Sequence, residues 1–291
     1  MMGNNGECLH FYGLFGMYNP FLLNGMGAAV ERIVRAVNNG EKIVIYGYHD
    51  IDGVTAVSVL LLVLRYLNAD VEYFISDQME GDLYADSENM KKSFRFLGVR
   101  LIITVGCGSN AFGTMDPFTE NNVDIIVTDY HEFEEASTKS IIINPKKKSC
   151  SYPFKGLTAV GLAYKLSQAI SVYYRMKRVD KYLDLVMIGT MSKTENCHDE
   201  NRIIVEEGLN RLKQTNNYGL KAMMKANKFE AVSPDVVENI ISNGHSSMSN
   251  SRGVDNARIM VELFTTSSSD RAEQIAKYLK KEIKHKKVNL I

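Results

Sequence analysis

The feature that most constrains this chain is an alternation of rhythm confined to its first half. Short, almost continuously apolar runs at residues 42–46 (KIVIY), 71–75 (VEYFI), 100–105 (RLIITV), 124–128 (DIIVT) and 140–143 read as strands. Runs of that kind suit strands covered on both faces. Between them, residues 27–38, 54–67 and 86–97 carry apolar side chains at helical spacing. Strand and helix in turn predict an α/β fold with a doubly wound, mainly parallel sheet. In such sheets ligands bind outside the carboxyl ends of the strands.

Near residue 150 the rhythm changes to helices, predicted over 156–176, 181–191, 200–213, 218–226, 234–242, 255–264 and 269–287. For the last, Ser268 or Ser269 offers an N-cap, and acidic residues early with lysines late suit the helix dipole. The expected organisation is an α/β core with an N-terminal extension over 1–150, a helical part of the same domain over 151–268, and a long terminal helix over 269–291.

Composition narrows the function classes. The chain has 291 residues, 45% hydrophobic and 23% charged, which fits a globular protein with a substantial core and excludes disordered or collagen-like classes. Lys plus Arg and Asp plus Glu are 34 each, so no global charge advertises a nucleic-acid or membrane partner, although a local patch can hide in a neutral sum. Cys8, Cys107, Cys150 and Cys197 are scattered without a CxxC pair, which points to neither a zinc site nor a disulfide framework. No apolar stretch is long enough to span a bilayer and residues 1–9 lack signal-peptide character, so no membrane partner is expected and the expected location is the cytoplasm.

Three strand ends carry polar residues. The first is Gly47-Tyr48-His49-Asp50-Ile51-Asp52-Gly53, where Asp50 and Asp52 could converge on a divalent cation; the alternative is an acidic turn with helix-capping aspartates. The second, Gly106-Cys107-Gly108-Ser109-Asn110, could present N–H groups to an anion or be a structural turn. The third, Asp129-Tyr130-His131-Glu132, places a histidine beside acidic residues. Farther on, Lys146-Lys147-Lys148 followed by Tyr152 and Phe154 is a basic loop with aromatics, suited to gripping phosphates and stacking bases. A solvated basic turn is the alternative.

Taken together and in this order, these segments resemble the DHH phosphoesterase family, specifically its RecJ-like branch of single-strand-specific DNA exonucleases. Residues 40–53 resemble the Asp-x-Asp-x-Asp-Gly motif, residues 103–110 the motif usually reading Val-Asp-Cys-Gly, and residues 127–132 the Asp-His-His motif that names the family. Residues 144–157, 184–190 and 199–202 carry further RecJ-like wording. The resemblance implies hydrolysis of single-stranded DNA from the 5′ end with Mn²⁺ or Mg²⁺. It also implies that the last helix connects to a second family domain, absent from this sequence. Ser109, Asn110, Lys146, Lys147, Lys148, Lys193 and Arg252 are the expected contacts to nucleic acid.

The departures are as informative. Tyr48 replaces the first acidic ligand, Gly106 the aspartate that bridges the metals, Tyr130 the first histidine of the name motif, and Lys193 a late aspartate ligand. Asp50 and Asp52 remain as expected metal ligands, with Asp129 and His131 as vestigial catalytic companions. His49 is displaced by one position and, in an extended segment, points away from the ligand side. Two cations near ~4 Å at an effective dielectric of ~20 repel by about 4 kcal/mol per unit charge pair, so a dinuclear site without its shared carboxylate is heavily penalised. The expectation is no metal, or a single loosely held Mg²⁺ or Mn²⁺ on Asp50 and Asp52; the Lys193 ammonium could relieve the negative pair, or be a solvated loop lysine.

The expected function is therefore a catalytically degenerate RecJ-like protein serving as a nucleic-acid-binding or assembly module. The alternative is a working phosphoesterase on single strands or short nucleotides with a rebuilt one-metal site. The apolar residues Ile275, Leu279 and Ile283 of the last helix are expected to face a partner subunit or protein unless they fold back, and the aromatic run at 9–23 to cover part of that surface.

Overall fold

The computed structural model describes residues 16–76, 87–110, 122–132, 138–176, 179–193, 197–229, 231–249 and 253–288. Five parallel strands, β1 (Lys42–Tyr48), β2 (Val71–Ser76), β3 (Val99–Val105), β4 (Asp124–Thr128) and β5 (Ile141–Ile143), form one sheet in the order β2-β1-β3-β4-β5. The chain runs outward from β1 to β2 and then crosses back to β3, so a crevice opens between the carboxyl ends of β1 and β3.

Strand residues alternate between two cores. Ile43, Ile45, Leu101, Ile103, Val105 and Ile126 face the larger one, with α1 (Met26–Asn38), α2 (Ile51–Tyr66) and α4 (Ala159–Tyr173). Val44, Tyr46, Ile102, Ile125 and Val127 face a smaller one, with Phe94 of α3 (Ser87–Phe96). Both faces are covered, which is why the strands read as continuous apolar runs. Helix α2 is buried nearly all round, because it lies between the sheet and an outer layer of helices.

That outer layer contains α5 (Leu183–Lys193), α6 (Asp199–Leu212), α7 (Tyr218–Asn227), α8 (Pro234–Met248), α9 (Gly253–Thr265) and α10 (Ser269–Val288). The predicted elements all recur, with two boundary shifts that matter: α2 begins at Ile51 rather than residue 54, and α5 continues to Lys193. No described helix is long and apolar enough to cross a membrane.

The terminal helix takes the fold-back alternative. Ala272, Ile275, Ala276 and Leu279 are buried against α7, α8 and α9 of the same chain, so this stripe is covered from within and gives no reason for a homo-oligomer or partner there. The side chain of Ile283 lies outside the described residues. The described part of the aromatic N-terminal run packs elsewhere: Met17 and Leu23 are buried beside α1 and α4. There the Tyr18 N–H donates to Glu200 Oε1 at 2.9 Å and the Tyr18 carbonyl accepts from Lys165 Nζ at 2.9 Å.

Candidate active site

Three strand ends and two helix ends build the cleft. At the first strand end, Asp50 is the N-cap of α2, and its Oδ1 accepts the Gly53 N–H at 2.6 Å. Asp52 therefore lies in the first turn of a helix rather than in an extended segment. Its side chain points at a second helix: Oδ2 accepts from Ala159 N at 2.9 Å and Oδ1 from Val160 N at 2.8 Å, the opening amides of α4. The two aspartates do not converge on one point but cap two different helices, the acidic-turn alternative carried across the fold. Burial and the neighbouring Asp50 carboxylate push Asp52 up to about 7, against the pull of the Val160 and Ala159 amides and of Lys193.

Lys193 reaches Asp50 because of how α5 meets α2. A Cβ at Gly189 would collide with Thr55 Oγ1, so the missing side chain lets the helices touch. The last turn of α5 then stands beside the first turn of α2, and Lys193 Nζ lies 3.0 Å from Asp50 Oδ2, both side chains about one-third exposed (29% and 31%). The charges also complement the two helix ends, a cation at a C-terminus and a carboxylate at an N-terminus.

At the third strand end Asp129 is buried and fully engaged. Its Oδ2 accepts from Ser109 N at 2.9 Å; its Oδ1 accepts from Tyr130 N at 2.8 Å and His131 N at 3.2 Å, and lies 2.7 Å from His131 Nδ1. Burial alone would raise its pKa, but the His131 ring and these amides outweigh it and hold the carboxyl below its ordinary value. The amide of Ser109 is thus aimed at a resident carboxylate and not at an external anion. Asn110 is exposed and donates to the Glu132 carbonyl at 3.2 Å.

Asn144, which sequence reasoning did not assign to the site, ties three strand ends together. Its amide nitrogen donates to Ser109 Oγ at 3.2 Å and the His131 carbonyl at 2.9 Å, and its oxygen accepts the Lys146 N–H at 2.9 Å. The Asn-Pro-Lys wording after an apolar strand is the only signal the sequence offers for it. Lys146 pairs with Glu132 at 3.2 Å, while Lys147 is half-buried and Lys148 exposed on the same loop. Tyr152 and Phe154 correct the basic-aromatic reading: both are buried, and the Tyr152 hydroxyl donates to Glu200 Oε2 at 2.5 Å, so neither ring can stack a base. His49 Nδ1 lies 2.9 Å from the Ser76 carbonyl, on the β2 side of the cleft. Arg252 lies outside the described residues.

Gly106 and Tyr48 are fixed by their surroundings. Gly106 has φ +73°, and a Cβ there would sit 2.7 Å from Ala159 Cβ and 3.7 Å from the Tyr130 ring. A carboxylate side chain at this position has no room while α4 begins where it does. Tyr48 is buried and hydrogen-bonds Cys107, whose thiol burial pushes well above its ordinary value. Divalent cations need carboxylate oxygens turned to a common point. Here the oxygens of Asp50, Asp52 and Asp129 are turned to N–H, imidazole and ammonium donors, and among the described residues no three His, Cys, Asp or Glu side chains gather as a ligating group. The donor set does not fit a dinuclear metal pair.

A parallel α/β domain with its polar residues at the β1/β3 switch point defines the class of protein. A family model described as "DHH family, N-terminal domain" matches residues 42–190, and the chain belongs to that family, as a RecJ-like member. It is 41% identical over 209 residues to the single-stranded-DNA-specific exonuclease RecJ of Bacillus subtilis, covering 72% of this chain and 26% of that protein. With RecJ of Haemophilus influenzae it shares 32% identity over 211 residues, covering 69% and 36%. The fold superposes on RecJ from Thermus thermophilus in complex with Mn²⁺ with a TM-score of 0.78 at 24% identity, covering 91% of this chain and 38% of that one. An exonuclease RecJ structure bound to manganese gives a TM-score of 0.79 at 24% identity, covering 91% and 67%. The chain thus spans well under half the length of these curated relatives.

Proposed function

We propose that this chain is a RecJ-like module that has exchanged two-metal hydrolysis for a closed ion-pair cleft and that binds single-stranded DNA without cutting it. The observation that carries this reading is the 3.0 Å contact between Lys193 Nζ and Asp50 Oδ2, which sets a fixed positive charge where a cation would need an anion. The helix-capping posture of Asp52 and the absence of room at Gly106 support it. The substrate class comes from the relatives, whose names specify single-stranded DNA. For contact with the strand, Asn110, Lys147 and Lys148 lie at the carboxyl edge of the sheet, where phosphates can be met without entering the cleft.

The test incubates a 5′-labelled single strand with purified protein and Mn²⁺ while anisotropy follows binding. Binding without nucleotide release is expected, weakened by Lys147→Glu and Lys148→Glu and less salt-dependent in both. Nucleotide release that disappears in Asp50→Ala would replace this reading with a one-metal phosphoesterase. Absence of binding would leave an assembly role unconnected with nucleic acid.

A further inference from the structure

We propose that the cavity at the amino-terminal end of α5 is a second ligand site, built for a nucleoside 5′-monophosphate. It has a volume of about 350 Å³ and lies between the end of α2, the start of α5, the α6–α7 connection and the α9–α10 connection. Cavities of ~300 Å³ and above hold small organic ligands; a bare phosphate would leave most of this one unfilled.

The lining separates into the parts such a ligand has. Lys181 and Arg211 supply cations. The Lys181 ammonium stands over the rings of Tyr182 at 4.8 Å and Tyr66 at 5.3 Å, which hold it at the mouth. Arg211 gives Nη2 to Asp180, and a planar guanidinium with five donors can meet a phosphate from another edge. Asn217 caps α7 itself, its Oδ1 accepting from Leu220 N at 3.0 Å, and Tyr218, the first residue of that helix, lines the cavity. Tyr218 supplies an exposed aromatic face for a base and Ser267 an exposed hydroxyl for a sugar, while Tyr182 and Phe264 form buried walls and the Thr215 and Thr265 hydroxyls donate to Asp184 and to the Val261 carbonyl. The buried Asp184 is the lining's carboxylate, and its oxygens are engaged by Thr215 Oγ1 at 2.5 Å and Leu185 N at 2.8 Å.

The site is separate from the cleft. Asp184 and Lys193 mark opposite ends of α5, roughly 14 Å apart at ~1.5 Å per residue. The inference therefore does not rest on the reading of the cleft.

Calorimetric titration of the full chain with deoxyadenosine 5′-monophosphate, inorganic phosphate and deoxyadenosine tests it. The monophosphate is expected to bind saturably, one per chain, and about tenfold or more tighter than either fragment. Lys181→Ala and Tyr218→Ala, both at exposed positions, are expected to weaken it about tenfold, the loss of one charge-assisted contact or one stacking ring. Unchanged circular dichroism would show that these variants still fold. Lys193→Ala is expected to leave the affinity unchanged. Absence of saturable binding overturns the proposal, as does phosphate binding equally well. Binding insensitive to Lys181→Ala and Tyr218→Ala but lost in Lys193→Ala also overturns it, by putting the nucleotide in the cleft.

Discussion

Asp52, in the first turn of α2, accepts the amide of Val160 at 2.8 Å, a contact 108 residues away along the chain. Together with Ala159 N at 2.9 Å it makes this carboxylate the cap of a helix other than its own. A residue that the family motif would assign to metal binding thus holds in place α4, the helix that follows the last strand of the sheet. Asp52→Ala leaves two buried amides without an acceptor and is expected to destabilise the protein by about 3 kcal/mol. Urea denaturation measures this directly; a change below about 0.5 kcal/mol would show that the cap contributes nothing.

The same carboxyl predicts a pH dependence. Its folded pKa is raised from the ordinary 3.8 to about 7, so the folded state holds this proton more tightly than the unfolded chain. The contribution to stability is fully present below the unfolded value and is lost as pH rises through about 7. Urea midpoints of the wild type are expected to fall relative to Asp52→Asn between pH 5 and pH 8. Parallel curves over that range would contradict the assignment. Asp129 acts in the opposite sense: its lowered pKa makes its contribution present above the unfolded carboxylate value and lost only in stronger acid, as pH falls through its folded pKa.

Removing the ammonium at position 193 separates its structural from its electrostatic part. The Lys193–Asp50 pair is partly solvated, with side-chain exposures of 29% and 31%, so Lys193→Ala is expected to cost under about 1 kcal/mol. Mn²⁺ affinity is expected to rise about tenfold, since a positive charge has left the neighbourhood of Asp50. Manganese paramagnetic resonance reads the free ion, and equal affinities in both proteins would remove Lys193 as the reason for a metal-poor cleft.

Gly106 makes a steric prediction. Gly106→Ala introduces a Cβ at φ +73°, 2.7 Å from Ala159 Cβ, and is expected to cost about 2 kcal/mol. Ala159→Gly in the same chain is expected to recover part of that cost, which a double-mutant cycle detects as a coupling of about 1 kcal/mol. Strict additivity would mean the two positions do not press on each other.

The buried Lys165–Glu200 ion pair should resist simplification. Both side chains are fully buried, and Glu200 also receives the Tyr152 hydroxyl and the Tyr18 amide. Lys165→Met leaves a buried carboxylate without its cation and is expected to destabilise by about 3–5 kcal/mol, seen as a lower urea midpoint. A midpoint within error of the wild type would show that Glu200 is satisfied without it.

The strands of the sheet and the helix starts at Ser269 and Tyr218 were legible because each depends on local rhythm and capping chemistry. Gly106, Tyr130 and Lys193 stand out in the sequence against the motifs it resembles, since a motif defines by position what should stand there. The helix-capping alternative anticipated Asp50, but the direction of Asp52 was not legible, because the two amides it caps lie 107 and 108 residues farther along the chain. Tyr152 and Phe154 misled for a related reason: an aromatic beside lysines looks the same in sequence whether it faces water or, as here, a buried carboxylate.

By itself, then, the sequence determined the parallel α/β architecture and the family, because periodicity and motif spacing are properties of the chain taken in order. What only the tertiary structure decided is where each remaining charge points. Asp52 turns to α4, Asp50 to Lys193 and Asp129 to Ser109 and His131. A carboxylate's direction is set by which donors the packed helices and strand ends bring within about 3 Å, and those donors come from segments far apart in the chain.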